Sequence, residues 1–105
     1  MDAPVAILKC IAAEVDGRRF PLTVSIGKPY QSDTEPETWS CPVIIDPLHT
    51  HLRHIVGGDA FQSLCLASRM ALDLLASFVE RGGRLIDEDG NDVPLDAYGF
   101  LSKSR

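Results

Sequence analysis

One long amphipathic segment constrains the fold of this chain more than any other feature. It reads GGDAFQSLCLASRMALDLLASFVERGG, and its helical part runs from Asp59 to about Gly83. Asp59 is placed to act as the N-cap, and Gln62, three residues later, is placed as the reciprocal acceptor of a capping box. The pair Gly82-Gly83 is a typical helix end. The sequence therefore predicts one helix with a signal at both ends.

The apolar residues of this helix cover more of its circumference than one sheet face can bury. At about 100° per residue they span roughly 200° of arc. Leu66 and Met70 also interrupt the remaining polar sector, where an unpaired helix would expose them. We therefore predict that a partner subunit covers Leu66 and Met70, and that the protein is a homodimer. The apolar set comprises Phe61, Leu64, Cys65, Ala67, Ala71, Leu72, Leu74, Leu75, Phe78 and Val79.

Two strands are predicted near the start of the chain. Residues 5–14 are a dense apolar run, and Asp16-Gly17, which follows it, is a strong hairpin signal. Residues 20–26 alternate between apolar and polar side chains, as in a strand with one buried face. Pro21 cannot donate a ladder hydrogen bond, so we expect an unpaired side or a bulge at that position.

Further strand patterns follow a connection over residues 27–38, in which no binding motif is recognisable. Residues 39–46 alternate again, and Pro42 predicts an edge or a bulge there. Residues 48–56 fit either a fourth strand or a loop. After the helix, two short segments flank Asp89-Gly90, a pattern that predicts a short hairpin or a strand and turn.

This order of elements predicts an α+β fold in a single domain over residues 1–105. We expect an antiparallel β-meander of three to four strands packed on one long α-helix, followed by a short C-terminal β-hairpin or turn. The three cysteines lie far apart in apolar contexts, which favours reduced, buried thiols over a disulfide framework.

Charge and hydropathy restrict the partners that we expect. The net charge is −5, and the ten basic residues are scattered, which argues against a nucleic-acid partner. The N-terminus does not resemble a secretory signal. No run reaches the ~18 uninterrupted apolar residues that a spanning helix needs. We therefore expect a cytoplasmic protein without a membrane partner.

The clearest chemical hypothesis concerns three histidines within six residues, because transition metals favour clustered imidazoles. On a strand, however, His49 and His51 would share one face and His54 the other. Arg53 would also place a fixed positive charge beside a bound cation. We interpret the three histidines as surface or interface residues, and a metal site formed by them is the alternative hypothesis.

Cys41 alternates in phase with apolar neighbours and is interpreted as a buried thiol. The sequence shows no constellation of residues typical of an active site, so we predict no enzyme activity and no cofactor.

Several short motifs, taken together, resemble a family of small bacterial proteins of unknown function. The resemblance covers about residues 5–80 and implies a strand meander followed by one long helix, with no activity attached. Pro42 and the His-rich stretch depart from the family pattern. The motifs are DGR (Asp16-Gly17-Arg18), V-x-I-G-x-P (Val24, Ile26, Gly27, Pro29), W-x-C (Trp39, Cys41) and G-x-D-x-x-Q-x-L-x-L-A (from Gly57 to Ala67).

The combined observations favour a non-enzymatic protein-binding or interaction module of a bacterial cell. Its partner surface would include Leu66 and Met70, or a strand edge. A regulator or an immunity-like partner of another protein fits the acidic charge, because complementary charge accelerates association with a basic surface. A metal-binding protein that uses His49, His51 and His54 is the alternative.

Overall fold

In the computed structural model, which describes residues 3–99, one long helix packs against two antiparallel β-sheets. The α+β class predicted from the sequence is therefore confirmed. The described strands number seven and divide into two sheets, whereas the sequence predicted one meander of three to four. The elements are β1 (Ala6–Ala13), β2 (Arg19–Ile26), β3 (Tyr30–Gln31), β4 (Trp39–Cys41), β5 (Val43–Asp46), β6 (Ile55–Gly57), α1 (Ala60–Glu80), β7 (Arg84–Ile86) and a 3-10 turn (Leu95–Tyr98).

The larger sheet has the strand order β5-β2-β1-β7 and is built around the first hairpin. β1 and β2 are paired along their whole length. Their turn contains Gly17 at a φ of +93°, a conformation that favours a residue without a Cβ. The backbone N–H of Arg18 donates to Oδ1 of Asp16 at 2.9 Å, which closes the turn. The hairpin predicted at Asp16-Gly17 is thus present.

Two prolines mark interruptions in the pairing of the strands. β5 ends with Asp46 opposite Thr23, so no described strand lies beside Pro21 on that side of β2. Pro42 separates β4 from β5 at the point where the chain leaves the smaller sheet, ordered β3-β4-β6, and joins the larger one. Because proline has no N–H to donate, the ladder of hydrogen bonds is interrupted at Pro42, and the chain passes from one sheet to the other at this residue. The single strand expected over residues 39–46 is therefore two strands in different sheets.

The segment 48–56, for which the sequence left two interpretations open, contains both a loop and a strand. Its first part is a loop that touches β5 through a backbone bridge between His49 and Ile45. Only its last two residues belong to β6, which pairs with β4 and leads directly into α1. The smaller sheet is thereby tied to the start of the helix.

The chain returns to the larger sheet after α1. β7 pairs with the last three residues of β1, Ile11 to Ala13. It then turns at Gly90, whose N–H donates to the Asp87 carbonyl at 3.1 Å, and Val93 donates back to Leu85 at 2.9 Å. The predicted strand and turn after the helix is therefore confirmed.

Both ends of α1 have the local chemistry that the sequence indicated. Oδ1 of Asp59 accepts from the N–H of Gln62 at 2.8 Å, as an N-cap does. The Gln62 side chain accepts from the N–H of Gly58 at 2.6 Å, one residue before the donor that a capping box would use. At the other end, Gly82 donates to Val79 and Gly83 donates to Phe78, the two hydrogen bonds of a Schellman motif.

The core lies between one stripe of α1 and the inner faces of both sheets. The five buried helix residues recur every three or four positions and so share one face. Two of them are alanines, which allow the helix backbone to lie close to β4 and β6. The buried helix residues are Ser63, Ala67, Ala71, Leu75 and Phe78. The larger sheet contributes Leu22, Val24, Ile26, Val43 and Ile45, among others.

Candidate functional site

The three clustered histidines do not converge in the fold. His54 lines a cleft beside Tyr30, whereas His49 lines a different cleft beside Phe78 and Arg81. His51 is exposed on the loop between them. Among residues 3–99, no three His, Cys, Asp or Glu side chains are grouped so that they could hold a metal ion. The geometry therefore gives no support to the metal-binding alternative.

The two helix residues predicted to contact a partner differ in their surroundings. Leu66 is 42% exposed. Met70 is half-buried and packs against the core cluster. Leu66 is flanked on the same helix surface by exposed Gln62, Arg69 and Asp73. The pair therefore presents one isolated apolar side chain rather than a continuous patch, and its role in an interface stays a prediction.

The cysteine at position 41 lies inside the protein, as the alternation of the strand indicated. Its side chain is fully buried, and Sγ donates a hydrogen bond to the Gly27 carbonyl at 3.3 Å. Burial raises the pKa of the Cys41 thiol and that of the Cys10 thiol, because a thiolate is poorly solvated there. Cys65 on α1 is half-buried. The environments of Cys10 and Cys41 therefore disfavour the thiolate that a nucleophile requires.

The different burial of the thiols predicts an order of reaction with iodoacetamide. In the native protein at mildly alkaline pH, we expect Cys65 to be alkylated first, while Cys10 and Cys41 react only on unfolding. Peptide mass spectrometry over a time course gives the order, and the same reaction in denaturant is the control. Rapid native alkylation of Cys41 would contradict the buried position.

A long part of β1 has a strand partner on one side only. β7 covers residues 11–13 of β1. Along Ala6–Cys10, no strand among residues 3–99 pairs with that side. Natural sheets usually cover, twist or charge such an edge, because its peptide groups can pair with another chain. Lys9 is the one charged residue along these five.

The peptide groups of Ile7 and Lys9 point toward this open edge. In an antiparallel strand, successive residues direct their N–H and C=O groups to alternate sides. The carbonyl of Leu85 in β7 accepts a hydrogen bond from the N–H of Val93, on the side away from β1. The next residue, Ile86, therefore directs its peptide groups toward β1, where it lies opposite Ile11. Ile11 therefore points toward β7. The residues two and four positions earlier point the same way and find no strand partner among the described residues.

An apolar groove of about 260 Å³ lies between α1 and the ends of β1 and β2, and Ile7 and Leu8 from the open part of β1 are among its lining residues. Leu8 contributes to it from β1, and Leu72 and Leu75 contribute from α1. Tyr98 of the 3-10 turn also lines the groove. Unpaired peptide groups and an apolar groove thus lie side by side, which is the combination that binds an added strand.

Exposed apolar side chains extend this surface in both directions. Val5 and Ile7 are 52% and 53% exposed at the start of β1. On the helix, Phe61 is 74% exposed and Val79 is 41% exposed. At 100° per residue, both fall within about 20° of Leu72 around the helix axis. We call the open edge of β1, the groove and this flank of α1 the β1 surface.

The sequence indicated a strand edge as an alternative partner surface but did not identify which strand, although one signal for β1 was present. The run over residues 5–14 is about twice as long as the strand pattern after the helix, at 84–88. A short strand cannot cover a long one. That the short strand pairs beside β1 at all, however, is decided by the topology.

A second concavity, here called the Tyr30 cleft, lies where the two sheets meet. Its volume is about 570 Å³. The Tyr30 hydroxyl and His54 Nδ1 are 2.6 Å apart and hydrogen bonded, and the two rings meet edge to face with centroids 5.6 Å apart. These residues are separated by 24 positions, so no short motif could have predicted the pair.

Helix α1 is long and apolar enough, by length and composition alone, to cross a membrane. The core helix of a soluble domain passes the same test, so this property is weak evidence for a membrane span. Only 28% of its apolar 18-residue stretch is buried within the described fold. Most of the other residues of α1 are half-buried rather than exposed.

The architecture defines a small α+β domain of two antiparallel sheets on one helix, with an open strand edge and a cleft between the sheets. The chain belongs to the family described as a domain of unknown function (DUF6968), which matches residues 11–97. No curated protein and no solved structure matches the chain. The predicted resemblance to a family of unknown function is confirmed to this extent.

Proposed function

We propose that the protein is a non-enzymatic protein-interaction module that forms a homodimer through the β1 surface. The observation that supports this most directly is that, among residues 3–99, no strand pairs with the outer edge of Ala6–Cys10, and an apolar groove lies next to this part of β1. Strand addition provides affinity through main-chain hydrogen bonds and specificity through side chains that enter the groove. A second copy of the chain supplies both, since it carries the same edge.

Twofold symmetry selects one register for the paired edges. In an antiparallel pair centred on Leu8, each Ile7 lies opposite Lys9 of the partner subunit, and both residues direct their peptide groups to this edge. The dimer then gains two hydrogen-bonded residue pairs. A register centred on Lys9 would place two like charges directly opposite each other, which is destabilising. A register centred on Ile7 would need Val5, whose N–H already donates to Ile26 at 2.8 Å.

The apolar parts of the β1 surface come together in the same arrangement. With Leu8 at the twofold axis, the two Leu8 side chains meet at the grooves of both subunits. Leu72 then faces the interface from α1. The pairing would join the two larger sheets into one continuous eight-stranded sheet. It would also bury Ile7, which the monomer leaves exposed.

Sedimentation velocity at two protein concentrations tests the homodimer. We expect a concentration-dependent dimer for the unmodified chain and a monomer for the Ile7→Lys variant, in which the new lysine faces Lys9 of the partner. Val15→Lys is the matched control, because Val15 is 81% exposed in the turn beyond β1. That variant should dimerise normally. Circular dichroism checks that each variant is folded.

Two further variants separate the β1 surface from the other predicted interface. Lys9→Pro removes an N–H that pairs with no strand of the monomer among residues 3–99, so it should abolish dimerisation, whereas Lys9→Gln should preserve it. Leu66→Lys should leave the dimer intact. A chain that is monomeric at both concentrations, or a dimer lost only in Leu66→Lys, would overturn the proposed surface.

The wider role is also part of the proposal. We infer that the dimer acts in the cytoplasm of a bacterial cell as a regulator or an immunity-like partner of another protein. The net charge of −5 supports a basic target, because complementary charge raises the association rate. Binding of such a target should weaken as the salt concentration rises.

A further inference from the structure

The Tyr30 cleft has the mixed lining that is typical of a site for a small organic molecule. Its inner surface includes Val43, Ile44 and Leu52. Polar side chains of Lys28 and Thr50 also line it. At about 570 Å³ the cleft falls within the range of ligand-binding pockets, which are mostly apolar with a few placed polar groups.

The Tyr30–His54 pair presents a hydrogen-bond donor in either tautomer of the neutral ring. When the Tyr30 hydroxyl donates to Nδ1, the ring proton is on Nε2, and no acceptor for that N–H is found among residues 3–99. When Nδ1 carries the proton and donates to the hydroxyl oxygen, the hydroxyl proton is the free donor. One donor is therefore left for a ligand in both arrangements.

The charged lining of the cleft is positive. Lys28 contributes an ammonium group, and no aspartate or glutamate is among the lining residues. Lys28 forms no ion pair with another residue among residues 3–99. A positive group without a carboxylate beside it, in a chain of net charge −5, selects an anion at this place rather than a cation. Thr50 adds a hydroxyl donor.

We infer that the Tyr30 cleft binds a small organic carboxylate with an apolar body. Lys28 pairs with the carboxylate, and the Tyr30–His54 pair donates a hydrogen bond to it. The apolar part of the ligand packs against Val43, Ile44 and Leu52. This site is separate from the β1 surface, since the cleft and the groove share no lining residue.

An NMR titration of the ¹⁵N-labelled chain with sodium benzoate tests the site. We expect saturable shifts at the amides that line the cleft, and at least about tenfold weaker binding for Lys28→Gln, the effect of losing one charged hydrogen bond. Arg69→Gln is the matched control. It removes the same charge from an exposed position on α1, outside the cleft, and should bind benzoate like the unmodified chain.

Three comparisons show which property of the probe is recognised. Benzyl alcohol, which has the ring without the carboxylate, should bind at least about tenfold more weakly than benzoate. Inorganic phosphate should produce no saturable shift, because it lacks an apolar body. The monomeric Ile7→Lys variant should bind benzoate normally. The inference fails if benzoate causes no saturable shifts, if Lys28→Gln binds like Arg69→Gln, or if phosphate binds as well as benzoate.

Discussion

Replacing Gly57 with alanine is expected to lower the free energy of unfolding by about 2–3 kcal/mol. A Cβ added at Gly57 would lie 2.7 Å from the backbone nitrogen of Ser63 and 3.0 Å from its Cα. These atoms belong to the first turn of α1, so they cannot move without shifting the helix. The substitution therefore forces β6 and α1 apart. Thermal unfolding should show a midpoint lower by roughly 10–20 °C.

The neighbouring glycine provides the control. A Cβ added at Gly58 would meet the far end of the Gln62 side chain at 3.4 Å, an ordinary contact with a flexible group. Gly58→Ala should change the midpoint by only a few degrees. Equal losses of stability in the two variants would contradict the close approach of β6 to α1 as the cause, because the loss of glycine flexibility in the unfolded chain would by itself stabilise the fold.

Replacing Leu75 with alanine should destabilise the fold by about 3 kcal/mol. Leu75 is 1% exposed and belongs to the buried stripe of α1. It also lines the apolar groove beside β1, so its loss would leave a cavity where the helix meets the larger sheet. Chemical denaturation with urea measures the change, provided that the denaturant dependence of the unfolding free energy stays the same.

Leu66→Ala is the matched control, because it removes the same atoms from the same helix. Leu66 is 42% exposed, so less apolar surface returns to water, and we expect a cost of about 1 kcal/mol or less. A cost for Leu66→Ala as large as that for Leu75→Ala would show that a partner subunit buries Leu66. Such a result would favour the interface predicted from the helix pattern over the β1 surface.

The close approach of β6 to α1 also matters for the two proposed sites. Gly57 ends the smaller sheet and touches the helix at Ser63, which is fully buried. The smaller sheet carries Tyr30 on β3, and His54 immediately precedes β6. A shift of β6 should therefore disturb the Tyr30 cleft. The β1 surface lies on the other flank of α1 and should be affected less.

Local chemistry explains which features could be predicted before the fold was known. The cap at Asp59, the glycine end of the helix and the Asp16-Gly17 turn each depend on residues within a few positions of one another. The alternation over residues 20–26 also depends only on neighbours, and it identified the buried face of β2. Hydrogen bonds and hydrophobic periodicity over such short distances do not require tertiary contacts.

Pairing between distant segments could not be predicted in the same way. The residues around Pro42 alternate like one strand, yet the two halves find partners in different sheets. The Tyr30–His54 contact joins residues that no motif connects. The clustered histidines illustrate the converse, since proximity in the sequence did not bring their side chains together.

The amino-acid sequence alone determined the α+β class, the ends of α1 and the first hairpin, because capping, turn formation and side-chain alternation are properties of short segments. Only the tertiary structure decided that Ala6–Cys10 has an edge without a strand partner within the described part of the chain, and that a cleft forms between the sheets. Both depend on which strand lies beside which. That choice is made by the burial of whole faces of the sheets and helix, not by any one segment.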